Sequence, residues 1–322
     1  MKAVRIYETG GPEVMKLEEL PTPEPKRGEA LVRVQAAGVN FIDTYQRSGA
    51  YKSALPSGVG SEGAGTVEAV GDGVSAVAVG DRVAWCLIPG SYATHIAVPS
   101  HRLVHLPDGV DAPRGAAAML QGTTAHYLAY SMGALGPGDT CLVHAAAGGV
   151  GALLCQMLKM RNVRVIGTVS TEAKARVARE AGADEIIFYT RQDFEAETKR
   201  LTNGAGAAIV YDSVGKDTFD KSLNCVRVRG SLVLFGQSSG AVPPFDPQLL
   251  NAKGSLWLTR PTLTHYIAED EELRWRAGEV LDWIAGGKLQ IRIDRSLPLA
   301  EAGEAHRALT SRETMGKVLL IP

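Results

Sequence analysis

The stretch His144-Ala145-Ala146-Ala147-Gly148-Gly149-Val150-Gly151 constrains this chain more than any other. It follows an apolar, strand-like run that begins at Cys141. Behind it, Val150, Leu153, Leu154, Met157 and Leu158 recur at i, i+3, i+4, i+7 and i+8, the spacing of a helix that opens just after the glycines. Strand, glycine turn and helix are the context a dinucleotide fingerprint requires. Small residues let the backbone approach a pyrophosphate, and the helix N-terminal N–H groups meet its charge. Against the usual G-x-G-x-x-G, Ala146 stands in the first glycine position, with Gly148 and Gly151 second and third. The same glycines would also serve an ordinary tight strand-to-helix turn. What favours a nucleotide, with Gly148, Gly149 and Val150 at its pyrophosphate, is the pattern around them.

From about Gly138, apolar runs at Cys141 to Ala145, Val163 to Val169, Glu185 to Tyr189, Ala208 to Asp212, Leu232 to Phe235 and Leu256 to Leu258 alternate with helical stretches. Six strands in that rhythm predict a doubly wound parallel sheet. The first 120 or so residues read differently. Short strands at Ala30 to Val34, Gly65 to Val70, Arg82 to Trp85 and Tyr92 to Val98 sit between Gly, Pro and Asp clusters, as in a mainly antiparallel β-rich domain. After Thr259 a helix is predicted over Glu269 to Ala285, stopped by Gly286-Gly287. Strands at Gln290 to Ile293 and Lys317 to Ile321 then close the chain. These last pieces are expected to rejoin the β-rich part. The fold class is therefore α/β, with a discontinuous domain over 1–124 and 261–322, a parallel domain over 125–260, and the substrate in a cleft between them.

Cofactor choice is read at the end of the second parallel strand, where an Asp or Glu would bind the ribose 2'-hydroxyl of NAD and repel a 2'-phosphate. Here Val163 to Ser170 ends without a carboxylate. Ser170 is available to a phosphate, Lys174 supplies charge one helical turn on, and Tyr189 ends the third strand nearby. The expected cofactor is NADPH. Glu172 carries the wrong charge close by and argues the other way.

Lys+Arg 34 against Asp+Glu 35 gives a net charge of -1, so there is no basic footprint for nucleic acid or an anionic membrane. No run approaches the ~18 apolar residues of a membrane span, and Met1 to Arg5 lacks the apolar core of a signal peptide. The expected location is cytoplasmic. Cys86, Cys141, Cys155 and Cys225 show no C-x-x-C spacing and read as small buried residues. His101 and His105, four apart, read as surface histidines. Trp257, Trp275 and Trp283 are expected to pack helices and strands.

The glycine turn, Asn40-Phe41-Ile42-Asp43-Thr44-Tyr45 with Ser48-Gly49-Ala50-Tyr51, Tyr211-Asp212-Ser213-Val214-Gly215 and Thr259-Arg260-Pro261 together resemble the NADPH-dependent quinone oxidoreductases. These form the zeta-crystallin-like branch of the medium-chain dehydrogenase/reductase superfamily. The resemblance runs over essentially the whole chain. It implies a GroES-like β domain built from both chain ends, a Rossmann domain with a six-stranded sheet, and a homodimer. It also implies that Phe41, Asp43, Thr124, Tyr127, Ser213, Phe235, Gly236, Ser238, Leu258, Arg260 and Arg312 border the cofactor. Arg260 and Arg312 would serve equally as interface or solvent arginines.

The superfamily's zinc alcohol dehydrogenases supply a contrast, because hydride removal from an alcohol needs a Lewis acid. Their ligands are a Cys in the segment matching Gly38 to Thr44, a His-Glu pair, and a later Cys. This chain has no Cys in that segment and has Ser61 before Glu62, so no metal is expected. The remaining chemistry is hydride delivery to an acceptor that is already electrophilic, a quinone or an enone. Asn40 and Tyr45, with Tyr51 completing the pocket, are the candidates to polarise its carbonyl; the plainer reading makes Asn40 a turn cap and Tyr45 a packing residue. Asp43 fits a structural hydrogen bond better than proton transfer. The leading expectation is an NADPH:quinone reductase, ahead of an alkenal or enone double-bond reductase. A non-catalytic NADPH- or RNA-binding role comes last, since near-neutral charge speaks against RNA.

Overall fold

The computed structural model describes all 322 residues. They form two compact units, Met1–Thr123 with Tyr266–Pro322, and Thr124–His265; the division falls inside the helix Ala112–Ser131.

In the first unit the strand Glu29–Val39 explains the core. Ala30, Val32, Val34 and Ala36 are buried while Leu31, Arg33 and Gln35 are more open, the two-residue period of a sheet with one inward face. Around it runs a seven-stranded sheet in the order Ile293–Pro298, Lys317–Ile321, Glu29–Val39, Glu62–Val70, Arg82–Cys86, Val104–His105, with His95–Pro99 also paired to Glu29–Val39. The pairs are antiparallel except Ile293–Pro298 with Lys317–Ile321. Trp85, Tyr92, Val98 and Leu320 fill the core beneath. The strand expected at Gln290 to Ile293 starts only at Ile293, because its partner register begins with Ile293 opposite Lys317.

The second unit holds the expected doubly wound sheet. Its six strands lie in the order Glu185–Phe188, Arg164–Val169, Thr140–Val143, Ala207–Asp212, Val226–Leu234, Trp257–Thr259, all parallel. Every residue of Ala207–Asp212 is buried, as a strand covered on both faces must be. The helix Asp270–Ala285, in the first unit, stops at Gly286 as the sequence expects. The tryptophan expectation needs correction. Trp257, on the edge strand, is 72% exposed and Trp275 is 47% exposed; only Trp283 of the three is half-buried. The four cysteines are buried, and His101 and His105 are exposed.

Candidate active site

In the first unit the candidate residues gather on one short helix, Phe41–Ser48, and the loop behind it. Asn40 is its N-cap, and the Asp43 carboxylate reaches back to accept the Asn40 N–H at 2.9 Å. The helix ends at Gly49 in the left-handed conformation, and the chain turns so that Tyr51 N–H donates to Tyr45 O at 3.0 Å. The rings of Tyr45 and Tyr51 then lie 5.1 Å apart, and Phe41 lies 6.1 Å from Tyr45. All three are half-buried, so each presents a face or an edge outward.

Asn40 and Asp43 are placed otherwise. The Asn40 carboxamide is buried, its Nδ2 donating to Glu62 Oε1 at 2.6 Å and its Oδ1 accepting from Lys317 Nζ at 2.8 Å. Lys317 also pairs with Glu62, whose Oε2 accepts the Leu120 N–H at 2.6 Å. Gly38 leaves the room for this crossing: a Cβ there would stand 2.6 Å from Lys317 Cε and nearer still to the Glu62 carboxylate. Both ends of Asn40 are thus engaged inside the protein. Asp43 has no exposed surface. Besides Asn40 it accepts Ser61 Oγ at 2.6 Å and Tyr92 OH at 2.9 Å. The expected border contact with a cofactor is closed to its side chain, and the structural hydrogen bond is what it makes. Burial, only partly offset by these donors and by Lys317, pushes its carboxyl up to about 6.

The chain of contacts continues from Tyr92 OH to His306 Nε2 at 3.1 Å and from His306 Nδ1 to Arg47 at 3.4 Å. Since Tyr92 donates to Asp43 and Arg47 can only donate, the bonding assigns the His306 proton to Nε2. Burial, reinforced by the Arg47 charge, takes His306 down to about 3, so it is neutral. This network was not legible in the sequence, because Tyr92 and His306 lie 49 and more residues from Asp43.

A zinc ion does not fit these residues. Asn40, in the segment Gly38 to Thr44, and Ser61 are both committed to buried hydrogen bonds, and beside them the Lys317 ammonium would repel a dication. The thiol of nearby Cys86 is pushed up to about 12 by burial and then by the Glu62 charge, so it is protonated.

In the second unit the candidates line the C-terminal ends of the parallel strands, the edge where an open α/β sheet takes its ligand. The strand Thr140–Val143 leads through Ala145, at φ 51, into Gly148, the N-cap of the helix Gly149–Met160. The first N–H groups of that helix have no carbonyl within it to bond. Alanine at position 146 is accommodated by its neighbour. Ala146 N–H donates to Thr168 O at 3.2 Å, and a Cβ on Gly167 would stand only 2.8 Å from the Ala146 Cβ. Glycine on the second strand makes room for alanine in the turn.

The adjoining strand ends are tied together. Tyr189 N–H donates to Val169 O at 3.1 Å and Thr190 Oγ1 to Ser170 O at 3.1 Å, bringing Ser170 and the 43% exposed Tyr189 to one end of the sheet. Lys174 is in the first turn of the helix Glu172–Glu180, which Thr171 caps. Across the switch in strand order, Asp212 is fully buried and accepts from Val214 N–H at 2.8 Å, Gly215 N–H at 3.0 Å, Thr218 Oγ1 and Ser222 Oγ. Ser222 Oγ meets His144 Nε2 and Thr168 Oγ1 meets His144 Nδ1, each at 3.0 Å. Burial lowers the His144 pKa despite the Asp212 charge, so a neutral imidazole joins two neighbouring strand ends to the helix Phe219–Cys225. Asp212 and His144 shape the turn that carries Ser213, a supporting role the sequence reading did not assign. Ser238 N–H donates to Ser213 O at 3.2 Å, which sets the loop of Phe235, Gly236 and Ser238 against that turn.

The remaining candidates are dispersed. Thr124 and Tyr127 are buried on the helix Ala112–Ser131, Leu258 is on the edge strand, and exposed Arg260 follows it. Arg312, exposed at φ 62, belongs to the first unit, on the turn before the last strand.

Residues 26–108 match the alcohol dehydrogenase GroES-like domain, and residues 149–285 match the zinc-binding dehydrogenase family. A quinone oxidoreductase of Pseudomonas aeruginosa is 47% identical over 100% of this chain and 99% of its own length. The structure of an Escherichia coli quinone oxidoreductase complexed with NADPH superposes with a TM-score of 0.98 at 41% identity, covering 100% of both chains. A 2-haloacrylate reductase of a Burkholderia species is 39% identical over 99% of this chain and 98% of its own length.

Proposed function

Because this chain belongs to the quinone oxidoreductases of the medium-chain dehydrogenase/reductase family, we propose that it is an NADPH:quinone oxidoreductase. The observation that carries the cofactor choice is the end of the strand Arg164–Val169. No carboxylate stands there to claim a ribose 2'-hydroxyl; Ser170 and Tyr189 come from strand ends tied to one another, and Lys174 from the first turn of the helix that follows.

The residues that hold NADPH are Gly148, Gly149 and Val150 at the pyrophosphate and Ser170, Lys174 and Tyr189 at the 2'-phosphate. Phe41, Thr124, Tyr127, Ser213, Phe235, Gly236, Ser238, Leu258, Arg260 and Arg312 complete the cofactor's surroundings. When bound, NADPH supplies a hydride, two electrons and a proton in one transfer. The protein's work is to bind, orient and polarise. Tyr45 and Tyr51 direct phenols at the acceptor carbonyl, where a hydrogen bond strengthens as negative charge develops. Asn40 and Asp43 act from behind them, fixing the start of the helix that carries Tyr45. Reducing a quinone to the hydroquinone consumes that hydride and one further proton, which reaches the product oxygen from solvent.

A second reading has an observation of its own, the similarity to a 2-haloacrylate reductase, whose named substrate has a carbon–carbon double bond conjugated to a carbonyl. Quinones and enones make the same electronic demand. The protein acts as a homodimer in the cytoplasm: Trp257, 72% exposed, and Val228, 69% exposed, lie on the outermost two strands of the second sheet and are suited to a second copy. No helix is long and apolar enough to cross a membrane.

The test is NADPH oxidation against an ortho-quinone, a para-quinone, an enone and a simple aldehyde. Turnover of the quinones supports the proposal. Turnover of the enone alone moves the substrate class to the second reading.

A further inference from the structure

Glu172 and Arg191 face each other across the open ends of two neighbouring parallel strands. The strands Arg164–Val169 and Glu185–Phe188 run in register with Val169 opposite Phe188. Beyond them the pairing goes on through Tyr189 with Val169, Thr190 with Ser170, and then Arg191, which donates to Glu172 Oε1 at 2.7 Å. The Arg191 guanidinium also stacks on Phe188, 3.9 Å from the ring centroid, which fixes where its charge sits.

Glu172 is the only carboxylate among residues 170–174 and 189–191, the two segments assigned to the 2'-phosphate. It opens the helix that Lys174 belongs to, where a negative charge suits the helix dipole. The same charge opposes a phosphate monoester that carries between one and two negative charges. Both side chains of the pair are more than half exposed, at 59% and 62%, so it adds little to folding. We propose that Arg191 is a specificity-determining residue for NADPH. By holding the Glu172 carboxylate it cancels the one acidic charge in the helix turn that follows this strand, so that Lys174 acts on the 2'-phosphate unopposed. The inference rests on the assignment of Ser170, Lys174 and Tyr189 to that phosphate.

The experiment is fluorescence titration of the wild type, Arg191→Ala, Glu172→Gln and the double variant with NADPH and with NADH. Arg191→Ala is expected to weaken NADPH about tenfold, the effect of one uncompensated charge in this partly solvated range, and to move NADH by less than about twofold. Adding Glu172→Gln to Arg191→Ala returns NADPH to within about twofold of wild type, because the charge that Arg191 cancels is then gone. Thermal melts of all four proteins within about 2 °C of one another exclude unfolding as the cause. A loss that Glu172→Gln does not restore would mean that Arg191 grips the phosphate itself, and equal losses for NADH would mean that it reads neither charge; each overturns the proposal. A wild type that holds NADH as tightly as NADPH would instead remove the cofactor assignment beneath it, and does so before any variant is compared.

Discussion

Lys317 Nζ is shared between Asn40 Oδ1 and the Glu62 carboxylate in a cluster where the two charged side chains are 1% and 0% exposed. It joins the last strand of the chain to the start of the helix that carries Tyr45. A buried charge deprived of its partner costs far more than the pair contributes. Lys317→Met is expected to lower unfolding stability by about 3–5 kcal/mol, read from the urea midpoint with the slope unchanged. A loss below about 1 kcal/mol, the level of an exposed pair, would contradict the account.

Tyr45 is half-buried against Phe41 and Tyr51 on the helix that Asn40 caps. If its hydroxyl polarises the acceptor, Tyr45→Phe lowers kcat by about tenfold or more while the Kd for NADPH moves by less than about twofold. An unchanged kcat would assign the residue to packing alone.

Lys174 stands in the first turn of the helix Glu172–Glu180, beside the strand end that lacks a carboxylate. Lys174→Ala is expected to raise the Kd for NADPH about tenfold and leave that for NADH nearly unchanged. Paired titrations decide it. Equal weakening of the two would show that the 2'-phosphate is read elsewhere.

The buried chain Asp43, Tyr92, His306 sets the acid side of the stability profile. Asp43 is raised by burial from its ordinary 3.8 to about 6 in the folded protein, so folding binds a proton there and this contribution falls as pH rises from about 4 to 6. His306 is lowered by burial from 6.5 to about 3, so the unfolded chain binds the extra proton and this contribution rises with pH over about 3 to 6.5. The two oppose each other, with about 3 kcal/mol for Asp43 and about 5 kcal/mol for His306 across their windows. Relative to wild type, stability of Asp43→Asn therefore rises more steeply between pH 4 and 6, and that of His306→Gln less steeply, in denaturant melts at several pH values. Parallel profiles for all three proteins would contradict the buried titration.

How much was legible in the sequence depended on how local each cause is. The turn Ala146 to Gly151 and the strands behind it were readable because strand, glycines and helical period are contiguous. Even there, why alanine is tolerated at position 146 depends on Gly167, which only the pairing of neighbouring strands brings opposite. Of the two readings of Asn40, substrate contact or turn cap, the structure shows the cap, and its partners Glu62 and Lys317, 22 and 277 residues away, are what turn its carboxamide inward. Arg191 escaped notice for the same reason, since its meaning lies in Glu172, 19 residues earlier. The packing expected of Trp257 fails because the end of the strand order leaves it on an open edge.

The most direct measurement is the rate of NADPH oxidation with a para-quinone by protein dialysed against a strong chelator, with NADH as the comparison. The account predicts full activity after chelation and a kcat/KM for NADPH at least about tenfold above that for NADH. Activity lost on chelation and restored by zinc, or equal use of the two cofactors, would contradict it.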